Sequence, residues 1–244
     1  MTLDITMTSI LRPKVIEQTL ISLKKHLKFS GDIRLILSID PIGEPLKAKN
    51  IFRVASLYYP VFHRYNKQAS FENAVIWLWN QVETSYFLHW EDDKILLKDL
   101  DIDWCIEKLE RNKNIASMSF PTVKISRKNK IFFWTHWDLI EDIYITDNYG
   151  GCFGTRPHLI RKEFIKGSLL YIHNQRNIEK QFRYSNTKFC EEFLSKWLFS
   201  LYPESEVYRD IGNAWKKTLK IKKSQGKTHS YIPVVDGKFD IHNY

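Results

Sequence analysis

The feature that most narrows the fold is a strand–helix–strand succession within the first 40 residues. Residues 3–10, "LDITMTSI", alternate enough to read as a strand. "RP" follows, and Ile16, Leu20, Leu23 and Leu27 then recur at helical spacing. Pro13 stands in the first turn, where its missing N–H is tolerated. "SGD" (30–32) breaks that helix, and "IRLILSI" (33–39) is a nearly all-apolar run, the pattern of a strand buried on both faces. Two such strands joined through a helix imply parallel pairing with a right-handed crossover. The predicted class is α/β: a mostly parallel central sheet flanked by helices.

The rest of the chain extends this pattern. Ser70 is placed to cap a helix whose Phe71, Val75, Leu78 and Val82 form one apolar stripe. It leads into the strand "SYFLHW" (85–90). "LDIDWCIEKLERN" (100–112) reads as a helix, and "IASMSFPTV" and "KIFFWTHWD" as strands joined by the polar "KISRKNK" in a hairpin. "YGGCFGTRPHLIRKEFI" (149–165) reads as a glycine-rich strand passing into a helix that starts near Pro157. Phe189, Phe193 and Trp197, with Cys190, Leu194 and Leu198, mark a further helix. No internal repeat or low-complexity segment is visible. Residues 1–204 read as one domain, and residues 205–244, with the basic run "WKKTLKIKKSQGK", as an appendage packed on it.

At 244 residues and 43% hydrophobic content, the chain is long enough to bury one sizeable core. Its longest apolar runs, such as "AVIWLW" (74–79), are too short to span a bilayer. No signal peptide is visible at the start. Cys105, Cys152 and Cys190 lack zinc spacing and, being odd in number and widely spaced, predict no disulfide framework, which fits a reducing cytoplasm. The formal charge of +9 favours anionic partners, among them nucleotides, nucleic acid and, as a peripheral contact, an acidic membrane surface.

Against that positive balance, Glu91, Asp92 and Asp93 stand side by side where the 85–90 strand surfaces. The simplest reading is a solvated acidic loop. Adjacent carboxylates repel, however, and three anions at a sheet edge are costly unless a cation compensates. Mg²⁺ and Mn²⁺ prefer carboxylate oxygen and leave positions open for phosphate. On a strand end Glu91 and Asp93 point to one side and Asp92 to the other, giving an acid-x-acid pair. The carboxyl ends of strands are also where open α/β sheets bind ligands.

"YFLHWEDD" resembles the DxD-type motif of GT-A-fold, family 2-like glycosyltransferases, in which the last acid binds the metal that holds a nucleotide-sugar diphosphate. The order "SILRP", "LILSIDP", "FENAVIWLW", acidic strand and "GGCFGTRPHLIRKEF" is similar too, over roughly residues 4–200. A departure is that the first acid is Glu and that Lys94 continues the triplet. The resemblance implies a GT-A-like fold and metal-dependent transfer of a sugar from a nucleoside-diphosphate sugar to a glycan or other hydroxyl acceptor, as in polysaccharide biosynthesis. It implies Mn²⁺ or Mg²⁺ on Asp93 and Glu91, with Glu91 alternatively touching the ribose. It places Thr8, Ser9 and Arg12 at the nucleotide and Asp40 by the base. Inverting transfer requires a general base. Asp138, Asp142, Glu179, Glu191 and Glu192 are candidates, and Glu179 is preferred from its place after the glycine-rich segment; a surface pair with Arg183 is its alternative.

Gly150, Gly151 and Gly154 would admit a sugar close to the backbone or simply bulge a strand. Trp134, Trp137 and Tyr149 suit sugar stacking or core packing. His229 or His242 would complete the metal site if the C-terminal segment folds back, as in related enzymes. Two other classes remain open. A metal-dependent nuclease or phosphotransferase would need further acids for a second metal, which the sequence does not show. A nucleic-acid-binding module would interleave basic and aromatic residues, whereas the densest basic run, 216–227, holds no aromatic, so no specific nucleic acid is expected.

Overall fold

The structure, a computed structural model, describes residues 1–43, 48–122, 131–132, 135–147, 153–183, 185–218, 221–223, 231–235 and 238–239. The elements run β1 (Thr2–Leu11), α1 (Pro13–His26), β2 (Asp32–Gly43), α2 (Ala48–Ala55), β3 (Val61–Tyr65), α3 (Phe71–Asn80), β4 (Tyr86–Glu91) and β5 (Lys94–Leu96). They continue with α4 (Ile102–Arg111), β6 (Ile115–Ser119), β7 (Asp138–Ile140), β8 (Ile143–Thr146), β9 (His158–Arg161) and α5 (Lys162–Ser168). Last come α6 (Ile178–Gln181), α7 (Thr187–Glu192), β10 (Leu198–Leu201), β11 (Tyr208–Asp210) and α8 (Gly212–Thr218).

Nine strands form one sheet in the order β7-β8-β10-β6-β9-β4-β1-β2-β3. β3, β2, β1 and β4 are parallel, β9 runs antiparallel between β4 and β6, and β10 lies parallel to β6. This is the mostly parallel α/β sheet that the opening residues require. Helix α3 begins where its sequence says: the Ser70 hydroxyl accepts the Asn73 N–H at 3.3 Å.

Alternation along β4 sorts its side chains between two cores. Leu88 and Trp90 pack with Leu3, Ile5 and Met7 of β1 and with Ile16 and Leu20 of α1. Phe87 packs on the other face with Trp79, Phe153, Ile160 and Phe164. His89 and Glu91 share the parity of Phe87, so the strand delivers Glu91 to the α3 side of the sheet.

Three sequence expectations change. "IASMSFPTV" does not form a hairpin with "KIFFWTHWD": β6 is flanked by β9 and β10, while Ile131–Phe132 pairs with Thr135–His136. No helix starts near Pro157, because His158–Arg161 form a fully buried strand between β4 and β6 and the helix waits until Lys162. The helix through Phe189 stops at Glu192; a 3₁₀ turn and the central strand β10 take over its expected last turns. In the last two cases sheet pairing overrode a local helical pattern, and in the first only the strand partners differ. Segments α2 and β3, which the sequence pattern did not single out, extend the parallel block by one unit.

Candidate active site

The acidic triplet sits where β4 leaves the sheet between β1 and β9. Thr8 of β1 lies opposite Glu91, and the chain turns at Asp92–Asp93 into β5. That turn is tied at four points. Trp90 Nε1 donates to the Lys94 carbonyl at 2.7 Å and Thr19 Oγ1 to the Asp92 carbonyl at 2.8 Å. The Ile211 N–H donates to the Asp93 carbonyl at 2.9 Å. β5 pairs antiparallel with β11, placing Asp210 directly opposite Lys94.

The three carboxylates have different surroundings. Asp92 is 3% exposed and turned inward. One of its oxygens accepts from Ser9 Oγ at 2.8 Å, from the Ile10 N–H at 3.2 Å and from Arg12 Nε at 3.0 Å; Arg12 Nη2 takes the other. Asp93, 5% exposed, accepts from Arg12 Nη2 at 2.9 Å and from Lys94 Nζ at 2.8 Å. Glu91 is 3.3 Å from the same Lys94 ammonium, and Asp210 is 2.9 Å from it. Glu91 and Asp93 thus converge on one cation while Asp92 goes elsewhere, as strand facing anticipates, although the turn rather than strand alternation places Asp93. Burial pulls the Asp93 carboxyl upward, but Arg12 and Lys94 outweigh it and hold the group below the ordinary carboxylate range. Burial pulls Lys94 down, and Glu91, Asp93 and Asp210 more than reverse that, so its ammonium stays charged.

Arg12 therefore acts as a buried clamp across Asp92 and Asp93, with the Trp215 ring of α8 5.2 Å from its guanidinium. Gly212, at the start of α8, lies so close that a Cβ there would run into the Asp93 carboxylate. As they stand, the described residues hold no preassembled group of three metal ligands. The chemistry of the donors nevertheless suits a hard divalent cation: Glu91, Asp93 and Asp210 offer only carboxylate oxygen and already surround one positive charge. A cleft of about 540 Å³ opens beside them, lined in part by Lys94, Tyr208, Arg209 and Asp210.

On the β2 side of the same edge, Asp40 accepts from Asn66 Nδ2 at 2.6 Å and from the Ser70 N–H at 3.2 Å. Burial pushes its carboxyl above the ordinary range despite these bonds. Asn66 also reaches Ser38 Oγ at 3.0 Å, and the Arg64 guanidinium lies 4.5 Å from the Trp77 ring centre. Thr8 is half-buried between Ser38 and Glu91, and Ser9 is buried against Asp92.

Glu179 lies in α6, whose first turn is capped by Asn177 Oδ1 accepting the Lys180 N–H at 3.0 Å. Its Oε1 accepts from Thr155 Oγ1 at 2.8 Å and from the Thr155 N–H at 3.3 Å. Because β9 runs antiparallel to β4 with His158 opposite His89, residues just before β9 stand at the edge where β4 ends. Glu179 is thus half-buried on the edge that carries Glu91, close enough for its charge to act on His89. Asp142, at φ 69°, is paired with Lys108 at 3.5 Å, and Asp138, Glu191 and Glu192 are exposed. Trp137 is buried in the second core. Gly150, Gly151, Trp134, Tyr149, His229 and His242 lie outside the described residues.

Sequence reasoning missed Asp210, Gly212 and Trp215, and read Lys94 only as a departure. The signal was "DIGNAW" (210–215), where an acid, a glycine and a tryptophan interrupt what otherwise reads as a basic tail.

No protein-family model and no curated protein sequence matches the chain. Solved structures do. S. aureus TarS 1-349 in complex with UDP-GlcNAc superposes with a TM-score of 0.60 at 11% identity, over 85% of this chain and 58% of that one. The mannosyltransferase PcManGT from Pyrobaculum calidifontis, in complex with GDP-Man and Mn²⁺, gives 0.59 at 8% identity, over 88% and 59%. A CMP:2-keto-3-deoxy-manno-octonic acid synthetase complexed with CTP gives 0.52 at 7% identity, over 89% and 96%. This chain spans 36% of the longer TarS structure and about three fifths of the shorter ones. The fold is GT-A-like.

Proposed function

We propose that the protein transfers a sugar from a nucleoside-diphosphate sugar to a hydroxyl of a glycan or other acceptor. The observation that carries this reading is the Glu91–Lys94 turn, ordered by Arg12 and Lys94, at the carboxyl edge of a GT-A-like sheet. Asp93 and Glu91 would hold Mn²⁺ or Mg²⁺, which when bound supplies positive charge to the leaving diphosphate. The chain's own contribution is order. Arg12 fixes Asp92 and Asp93 against the end of β1, so Thr8 and Ser9 meet the nucleotide in a preset frame. Asp40, held by Asn66 and Ser70, lies toward the base. Glu179 takes the acceptor proton in an inverting displacement, with Thr155 aiming its carboxylate.

The test is to incubate the protein with UDP- and GDP-sugars, with and without Mn²⁺, and to follow nucleoside diphosphate release. Asp93→Asn should abolish the Mn²⁺-dependent release. Glu179→Gln should slow transfer by roughly 10²–10⁴-fold with nucleotide binding unchanged. Release of pyrophosphate instead would assign nucleotidyl transfer, and normal transfer by the Gln variant would remove Glu179 from the role. Among the described residues no helix is long and apolar enough to cross a membrane.

A further inference from the structure

We infer that Lys94 is a resident cation that competes with a divalent metal for Glu91, Asp93 and Asp210, so that metal enters only in exchange for the lysine ammonium. The inference rests on the functional reading above for what brings the metal, but its geometry is independent of it. Lys94 Nζ stands 2.8 Å from Asp93, 2.9 Å from Asp210 and 3.3 Å from Glu91. Glu91, Asp93 and Asp210 would hold a divalent ion only beside that ammonium, leaving two positive centres a few ångströms apart. They repel, and the carboxylates satisfy only one at a time.

The two cations of the turn differ in what holds them. Arg12 spends Nε and Nη2 on Asp92 and Asp93 and is 5% exposed, so it stays. Lys94 carries a compact charge on a flexible four-carbon stem, and it lines the cleft of about 540 Å³, so its ammonium has somewhere to go. A nucleoside diphosphate arriving with the metal brings the anion that accepts the displaced ammonium. Metal and nucleotide then strengthen each other's binding reciprocally. Asp210, carried opposite Lys94 by β11, is in this arrangement the third carboxylate of the cage.

Mn²⁺ binding to the nucleotide-free protein, read by electron paramagnetic resonance of the free ion, tests this without any turnover. Lys94→Met and Lys94→Gln should each bind Mn²⁺ at least about tenfold more tightly than the wild type. Asp210→Asn placed in the Lys94→Met background should take most of that gain away. In the unaltered protein, UDP or GDP should tighten Mn²⁺ binding, and by more than in Lys94→Met. Equal Mn²⁺ affinity in the wild type and the folded Lys94 variants overturns the inference. If both variants fail to fold, Mn²⁺ affinity in the wild type that is indifferent to UDP and GDP overturns it. Tighter Mn²⁺ binding by Lys94→Met in a protein that binds no nucleoside diphosphate would leave the competition standing and sink the transferase reading instead.

Discussion

Replacing Asp92 by Asn tests whether this residue is a structural clamp. Four donors point at its carboxylate: Ser9 Oγ, the Ile10 N–H, Arg12 Nε and Arg12 Nη2. The amide keeps the shape but turns one acceptor into a donor, which then faces another donor with almost no water in reach. Arg12 loses half of its counter-charge while remaining buried. Breaking a buried ion pair from one side costs about 3–5 kcal/mol. Arg12 keeps Asp93, so the lower end applies, about 3 kcal/mol. For a chain of this length that is a melting temperature lower by roughly 6–12 °C, at about 2–4 °C per kcal/mol. Circular dichroism melts of Asp92→Asn and Asp99→Asn give the contrast, because Asp99 pairs with His26 and Lys28 in the open and its loss should be close to silent. An Asp92→Asn melt within about 2 °C of the wild type would refute the clamp.

Gly212→Ala should destabilise by roughly 1–3 kcal/mol, since the new methyl meets the Asp93 carboxylate and Arg12, and urea titration reads the loss. His89 is fully buried, which depresses its ring pKa to about 4. The unfolded chain takes that proton below about 6.5, so stability should fall as pH drops from about 6.5 toward 4, and His89→Gln should flatten the slope of urea stability by about one proton. For Asp4, burial raises the carboxyl but Arg34 and the Glu83 and Thr84 amides outweigh it, leaving it depressed. Its contribution is present above the ordinary carboxylate range and lost as pH falls through the folded value. Asp4→Asn should therefore be less stable at neutral pH and lose less on acidification.

What could be read from the sequence was what neighbouring residues decide. The pairing of β1 with β2 through α1 follows from period and turn signals alone, and the cap at Ser70 needs only its own first turn. The exit of Glu91–Asp93 at a strand end was visible for the same reason. The partners of those acids were not. Asp210 is 116 residues from Lys94 in sequence, and only pairing of β5 with β11 makes them neighbours. Likewise, nothing local distinguishes His158–Arg161 from a helix start; its strand state comes from β4 and β6 on either side.

The β5–β11 ribbon also sets an order of events during synthesis. The acidic turn is synthesised before its partners: Asp210, the Ile211 amide and Trp215 follow more than a hundred residues later. Until then Lys94–Leu96 present an unpaired strand edge, and the turn lacks the lid that excludes water from Asp93. The half of the sheet built around β1 precedes them in the chain, yet the edge that carries the acidic turn stays open until β11 and α8 have been made. A nascent chain arrested short of Tyr208 would carry that platform with an adhesive rim, prone to pair with a neighbouring chain.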